Sequence, residues 1–154
     1  MVKKFLSAAL ALVIAVSVTT GVTCVTQASQ QDEAFLSVEA FSIGNGYVLE
    51  PEEIVINTGD TAAQAFDKAL ADKGITYEAY GNTKSGFYLK SINVANSDKI
   101  PDVLRTALGN NITSGTAGSL GEKDYTSFAG WMYTVNGNSP SVGMSDYILK
   151  AGDV

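Results

Sequence analysis

Residues 130–143 of the chain read GWMYTVNGNSPSVG and carry the strongest structural signal in the sequence. The segment contains Trp131, the only tryptophan, and its large side chains alternate through Tyr133 as they do on a β-strand. Asn136-Gly137 then predicts a tight hairpin turn, because both residues readily adopt positive φ angles. Trp131 and Tyr133 share one face of the predicted strand. They either fill the core or form a platform for a ligand, and the sequence leaves both interpretations open.

The rest of the chain predicts further strands around one main helix. Thr61, with Gln64 three residues later, forms the pattern of a capping box at a helix start, and Gly74 marks the helix end. A shorter helix is predicted at 101–108, and a surface loop rich in Gly, Ser and Thr at 112–127. Strands are predicted at 36–43, 47–49, 53–57, 75–80, 87–92, 131–135 and 147–149. This order of elements predicts an α+β sheet with a helix laid across one face.

Residues 1–28 have the three parts of a secretory signal. Lys3 and Lys4 provide the basic start, an apolar run follows, and small residues allow cleavage after Ala28. The apolar run is about long enough, at roughly 20 residues, to remain as a membrane anchor. Lipidation at Cys24, the only cysteine, is the third alternative. We expect cleavage, and therefore a secreted or cell-surface protein of a Gram-positive bacterium.

The remaining 126 residues are enough for one domain with a core of its own. Residues 29–37 are polar and predict a short flexible leader, so the domain is expected to span 38–154. Gly152-Asp153 reads as a turn, and Val154 as the first residue of a further strand. We therefore expect a domain that is truncated at its last strand.

Charge and composition argue against several classes of function. Without the two N-terminal lysines, eight basic residues stand against 16 acidic ones, a net charge near −8. This charge disfavours nucleic acid and anionic lipid, both of which are bound through basic side chains. The chain has no histidine, and signal cleavage would remove its cysteine, so the commonest general base and the thiol nucleophile are missing. We expect no catalysis, no resident metal and no cofactor.

Three segments carry a resemblance to a known family: Gly59-Asp60-Thr61, residues 88–92, and above all residues 130–137 with the glycines and tyrosine that follow. Together they resemble DUF4430, a family of bacterial cell-surface domains of unknown function. That family in turn is similar to the C-terminal β-domain of the cobalamin carriers transcobalamin and intrinsic factor. The resemblance covers roughly residues 38–154. It implies a β-grasp-like mixed sheet.

The resemblance also implies a function, a site and a partner. In the vertebrate carriers the ligand lies between this domain and a helical barrel, so the chain is expected to cover one face of cobalamin or another corrinoid. The partner would be a helical-barrel or surface-anchoring protein. The alternative is a structural or adhesive cell-surface module without a small-molecule ligand. The candidate ligand-binding residues are Trp131, Tyr133, Asn136, Gly137, Pro140 and Tyr147.

Overall fold

The computed structural model describes residues 31–154 except positions 96, 98 and 114. The predicted signal segment and its Cys24 therefore lie outside the described residues. In chain order the strands and helices are β1 (Asp32–Glu39), β2 (Tyr47–Ile56), α1 (Ala62–Asp72), β3 (Tyr77–Asn82), β4 (Ser85–Ile92), α2 (Asp102–Leu108) and β5 (Leu120–Gly121). The predicted α+β class is confirmed.

The strands form two antiparallel sheets instead of the single mixed sheet that was expected. One sheet pairs β1 with β2, and the other has the order β3-β4-β5. Residues 131–135, predicted as a strand, pair with neither sheet. The predicted single sheet is therefore divided into two, and the Trp131 strand belongs to neither.

Helix α1 packs between the two sheets and supplies the centre of the core. Its capping box forms as the sequence predicts: the Gln64 amide donates to Thr61 Oγ1 at 3.2 Å, and the Thr61 amide donates to Gln64 Oε1 at 3.0 Å. Phe66 and Leu70 then point into one apolar cluster with Val38 and Leu49 from the first sheet and with Phe87, Leu89 and Ile92 from β4. Burial of these side chains on one helix face holds the two sheets together.

The predicted leader at 29–37 is wrong from Asp32 onward. Residues 32–36 pair with residues 52–56 of β2, and Ala34 is buried. The polar run at 29–33 suggested a flexible segment, but the alternation of apolar residues from Ala34 onward suits a strand that has one face on the core. The folded region thus begins at β1, six residues before the predicted boundary.

Two more predictions from sequence need correction. The strand expected at 36–43 ends at Glu39, and residues 41–43 form a 3₁₀ turn that ends at Gly44, where φ is 78°. The loop expected at 112–127 contains β5 and buries Tyr125, whose hydroxyl donates to the Ser97 carbonyl. Glycine and serine suggested an exposed loop there, whereas the tyrosine fixes the segment to the core.

Candidate functional site

A groove of about 360 Å³ runs between β1 and residues 131–135, which we call the Trp131 segment. We call this cavity the β1 groove. One wall is formed by residues 34–39 of β1 and the other by the Trp131 segment. The floor is apolar and consists of Ala62, Ala65, Phe66, Leu89, Met144 and Leu149. The volume lies at the lower end of the range of roughly 300–1,000 Å³ that is typical of ligand sites.

The Trp131 segment has the alternating exposure that its sequence predicts. Trp131 and Tyr133 are half-buried and Val135 is buried, whereas Met132 between them is 84% exposed. The indole Nε1 of Trp131 donates to the Leu120 carbonyl at 2.9 Å, and the hydroxyl of Tyr133 donates to the Val142 carbonyl. These two bonds fix both rings, so each ring has one part in the packed interior and one part at the β1 groove.

The Asn136-Gly137 turn is confirmed as a hairpin turn. The φ angles are 52° at Asn136 and 74° at Gly137, and Val135 and Asn138 exchange two backbone hydrogen bonds at 2.8 and 3.0 Å. Positive φ at both central residues is the mark of a type I′ turn, for which Asn-Gly is the preferred pair.

Residues 152–154 bridge the two walls at one end of the β1 groove. The Gly152 amide donates to the Glu33 carbonyl at 2.7 Å, and the Phe35 amide donates to the Asp153 carbonyl at 2.8 Å. On the other side, the Asn136 amide donates to the Val154 carbonyl at 2.8 Å. Residues 152–154, which follow directly from a turn with Gly152 at a φ of 82°, therefore fill the gap between β1 and the hairpin turn at this end.

The Asn136 side chain stabilises the same junction. Its Nδ2 donates to Asp153 Oδ1 at 2.8 Å, and its Oδ1 accepts from the Val154 amide at 3.0 Å. Asp153 is buried, and its Oδ2 accepts from the Lys150 amide at 3.0 Å. Both side chains thus make hydrogen bonds that stabilise the bridged end of the groove.

The side chains that line the β1 groove are neutral or acidic. Burial, followed by the nearby Tyr147 and Asp146, raises the pKa of Tyr133, so its phenol is neutral at physiological pH. Glu39 lies at the far end of the groove and Asp153 at the bridged end. Of the described residues that line the groove, none is a lysine or arginine. The site therefore favours a neutral or basic ligand.

The structure brings together only part of the predicted site. Trp131, Tyr133 and Gly137 line the β1 groove, and Asn136 lies at its bridged end. Tyr147 approaches Tyr133 closely enough to affect its pKa, but neither it nor Pro140 lines the groove. The assignment of all six residues to ligand binding stays a prediction.

Sequence reasoning predicted a strand over residues 36–39 of the β1 wall but did not assign this wall to the site. The sequence indicated this wall by the alternation of the apolar residues Ala34, Leu36 and Val38, but the first two lie in the segment that was predicted to be a leader. The role of Asp153 was missed as well, because nothing in the sequence indicates that its carboxylate binds Asn136 across a separation of 17 positions.

No cluster of three or more acidic, His or Cys side chains that could hold a metal ion occurs in the described part of the chain. Within residues 31–154, as far as the structure describes them, no helix is both long and apolar enough to cross a membrane.

Comparison with known proteins supports the predicted family for the C-terminal part of the chain. The family described as Domain of unknown function (DUF4430) matches residues 112–154, which are 43 of the 154 residues. The match includes the Trp131 segment, the hairpin turn and the bridging residues 152–154, whereas β1 and α1 lie outside it. Neither the curated proteins nor the solved structures contained a match.

Proposed function

We propose that the chain is a secreted or cell-surface binding module without catalytic activity, and that the β1 groove is its site. The observation that supports this most is the combination of an apolar floor with the Trp131 and Tyr133 rings on one wall. Ligand sites are typically concave, mostly apolar and provided with a few fixed polar groups. Here the fixed polar groups are the backbone of the Trp131 segment and of β1.

A corrinoid is the small-molecule ligand that the family resemblance suggests. A cavity of about 360 Å³ is too small to enclose so large a ring, which would therefore lie across the mouth of the groove with one face covered. Such partial coverage gives modest affinity by itself, because much of the ligand surface stays in water. A helical-barrel or surface-anchoring partner would cover the second face.

The test is a titration of the chain with cyanocobalamin and with cobinamide, using the fluorescence of Trp131, the only tryptophan. The data are corrected for light absorbed by the corrinoid, and calorimetry provides a second signal that needs no fluorophore. We expect saturable quenching with a matching heat, and a weaker heat in Trp131→Phe. Equal heats in the variant and the natural chain would remove Trp131 from the site.

A structural or adhesive surface module is the second candidate, and one observation favours it. The Trp131 indole is hydrogen-bonded to the Leu120 carbonyl and packs against two buried clusters, as expected for a residue that holds the fold. In that case neither corrinoid gives heat or quenching, and Trp131→Phe lowers the free energy of unfolding without any effect on binding.

A further inference from the structure

The chain contains two Asn-Gly pairs, Asn45-Gly46 and Asn136-Gly137. In such a pair the backbone nitrogen of the glycine can attack Cγ, the amide carbon of the asparagine side chain, and displace ammonia. Glycine favours this reaction because it has no Cβ to hinder the attacking nitrogen and because its backbone is the least restricted. Both pairs have this reactivity in an unfolded chain, so the folded structure decides which pair keeps it.

The two glycines have nearly the same backbone geometry. The φ angle is 72° at Gly46 and 74° at Gly137. A Cβ built on either residue would meet no heavy atom within 4 Å beyond its chain neighbours, so both glycines lie in open space. A difference in reactivity between the two pairs must therefore come from the asparagines.

The Asn136 side chain is held by hydrogen bonds at both ends of its amide. Its Nδ2 donates to Oδ1 of buried Asp153 at 2.8 Å, and its Oδ1 accepts from the Val154 amide at 3.0 Å. Release of Nδ2 as ammonia breaks the bond to Asp153, and rotation of Cγ towards the Gly137 nitrogen breaks the bond to Val154. The folded structure therefore opposes the reaction at Asn136.

The Asn45 side chain makes no such bonds. Its amide group has no hydrogen-bond partner among the described residues, and the side chain is half-buried. The Gly46 nitrogen likewise donates to no described residue. Neither the attacking nitrogen nor the amide that it attacks must first break a hydrogen bond within the described chain.

Exposure alone predicts the opposite order. Asn136 and Gly137 are both exposed, whereas Asn45 and Gly46 are both half-buried. If access of water decided the rate, Asn136 would react first. The order of the two reactions therefore distinguishes control by hydrogen bonds from control by exposure.

We infer that Asn45 is a site of spontaneous deamidation in the folded chain, and that the hydrogen bonds of Asn136 protect the second Asn-Gly pair. The inference concerns a covalent modification of the chain. It depends on neither the proposed ligand nor the β1 groove.

The reaction needs only water and base. The Gly46 nitrogen gives its proton to the base and forms a bond to Cγ of Asn45, the bond from Cγ to Nδ2 breaks, and Nδ2 leaves as ammonia with a proton from water. Water then adds to one of the two carbonyls of the five-membered succinimide ring and cleaves its bond to nitrogen. The product is aspartate or isoaspartate, and no atom changes its oxidation state.

The two products differ in their effect on the core. The Asn45 amide donates to the Ala40 carbonyl at 3.0 Å, and the Gly46 carbonyl accepts from the Ala40 amide at 2.7 Å. Ala40 is buried in a cluster with Leu120 and Tyr125. Isoaspartate inserts a methylene group into the main chain between these two bonds, so we expect the isoaspartyl form to have a lower melting temperature than the aspartyl form.

The test is incubation of the chain at mildly alkaline pH, followed by digestion with pepsin at acid pH and mass spectrometry of each Asn-Gly peptide. Synthetic peptides that span each pair give the rates without the fold. We expect Asn45 to react at nearly the rate of its peptide. Asn136 should react about thirtyfold more slowly than its peptide, because two hydrogen bonds must open first. Equal protection of both pairs, or faster reaction at Asn136, would overturn the inference.

A variant tests the protecting contact directly. Asp153→Ala removes the acceptor of the Asn136 Nδ2 hydrogen bond, so deamidation at Asn136 should become about tenfold faster while the rate at Asn45 stays unchanged. Circular dichroism verifies that the variant is folded. An unchanged rate at Asn136 in a folded Asp153→Ala variant would contradict the protecting role of this bond. If the variant does not fold, the comparison of each pair with its peptide decides the inference.

Asn45→Ser provides the matched control for the consequence. Serine has no amide to lose, so the incubated variant should keep its melting temperature while that of the natural chain falls. An equal fall in both proteins would attribute the loss to another site and would contradict the inference that reaction at Asn45 loosens the Ala40 contacts.

Discussion

Asn136 connects the hairpin turn to residues 153 and 154. Its side chain and its φ angle make separate contributions to the free energy of unfolding. Asn136→Ala removes two side-chain hydrogen bonds and leaves buried Asp153 with one partner fewer. It also places an alanine at a φ of 52°, which glycine or asparagine tolerates better. We expect a loss of about 1–3 kcal/mol in the free energy of unfolding, measured by urea denaturation.

Asn136→Gly is the matched control, because it keeps the backbone conformation and removes only the side-chain bonds. It should be less destabilising than the alanine variant. Equal losses in the two variants would mean that the φ angle contributes nothing and that the hydrogen bonds account for the whole effect.

The stability of the folded chain at alkaline pH depends on the ionisation of Tyr77. Burial, and then the hydrogen bond that its hydroxyl donates to Asp67 at 2.7 Å, raise the pKa of Tyr77. The unfolded tyrosine, with a pKa of about 10, therefore loses its proton first as the pH rises. The stabilisation from neutral Tyr77 is complete below about pH 10 and is lost progressively above it.

We therefore expect the natural chain to lose more stability between about pH 9 and 11 than Tyr77→Phe, which has no proton to lose. The phenylalanine keeps the ring contacts with Phe66 and Phe87. Urea denaturation across this pH range measures the difference. Parallel curves for the two proteins would show that ionisation of Tyr77 does not affect stability.

At the scale of elements, the start of α1 is the feature that local sequence predicts best. Thr61 accepts from the Gln64 amide, and its hydroxyl also donates to the Thr83 carbonyl at 3.1 Å, which joins the helix to the β3–β4 turn. We expect Thr61→Ala to lower the free energy of unfolding by about 1–2 kcal/mol in urea denaturation.

Thr61→Ser provides the control, because serine keeps the hydroxyl and is an equally good cap. It should retain most of the stability of the natural chain. A serine variant as unstable as the alanine variant would attribute the effect to the buried methyl group instead of the cap.

The elements that sequence predicts well are those fixed by short-range contacts. The helix cap at Thr61 and the turn at Asn136-Gly137 depend on residues no more than three positions apart. The first part of β1, residues 32–35, was missed because its strand character depends on pairing with residues 53–56, which local composition does not report. The Trp131 segment was predicted as a strand, and its alternating exposure is confirmed, but among the described residues it pairs with neither sheet.

At the scale of the whole molecule, the β1 groove separates β1 from the Trp131 segment. Among the described residues, backbone hydrogen bonds connect these two walls only through residues 152–154 at one end. Along the rest of the groove the walls face each other over the apolar floor.

The candidate site was predictable only in part, because its two walls come from distant parts of the sequence. The Trp131 wall lies in the segment that the family match covers, and its aromatic residues were found from sequence. The other wall comes from residues nearly one hundred positions earlier, and the floor comes from α1 and β4. Only the tertiary fold brings these parts together.

The most direct test of the β1 groove as a ligand site is a calorimetric titration of the chain and of Trp131→Phe with cyanocobalamin and with cobinamide. We expect a saturable heat for the natural chain and a weaker heat for the variant, because the Trp131 ring lines the groove. Absence of heat with both corrinoids would contradict the account.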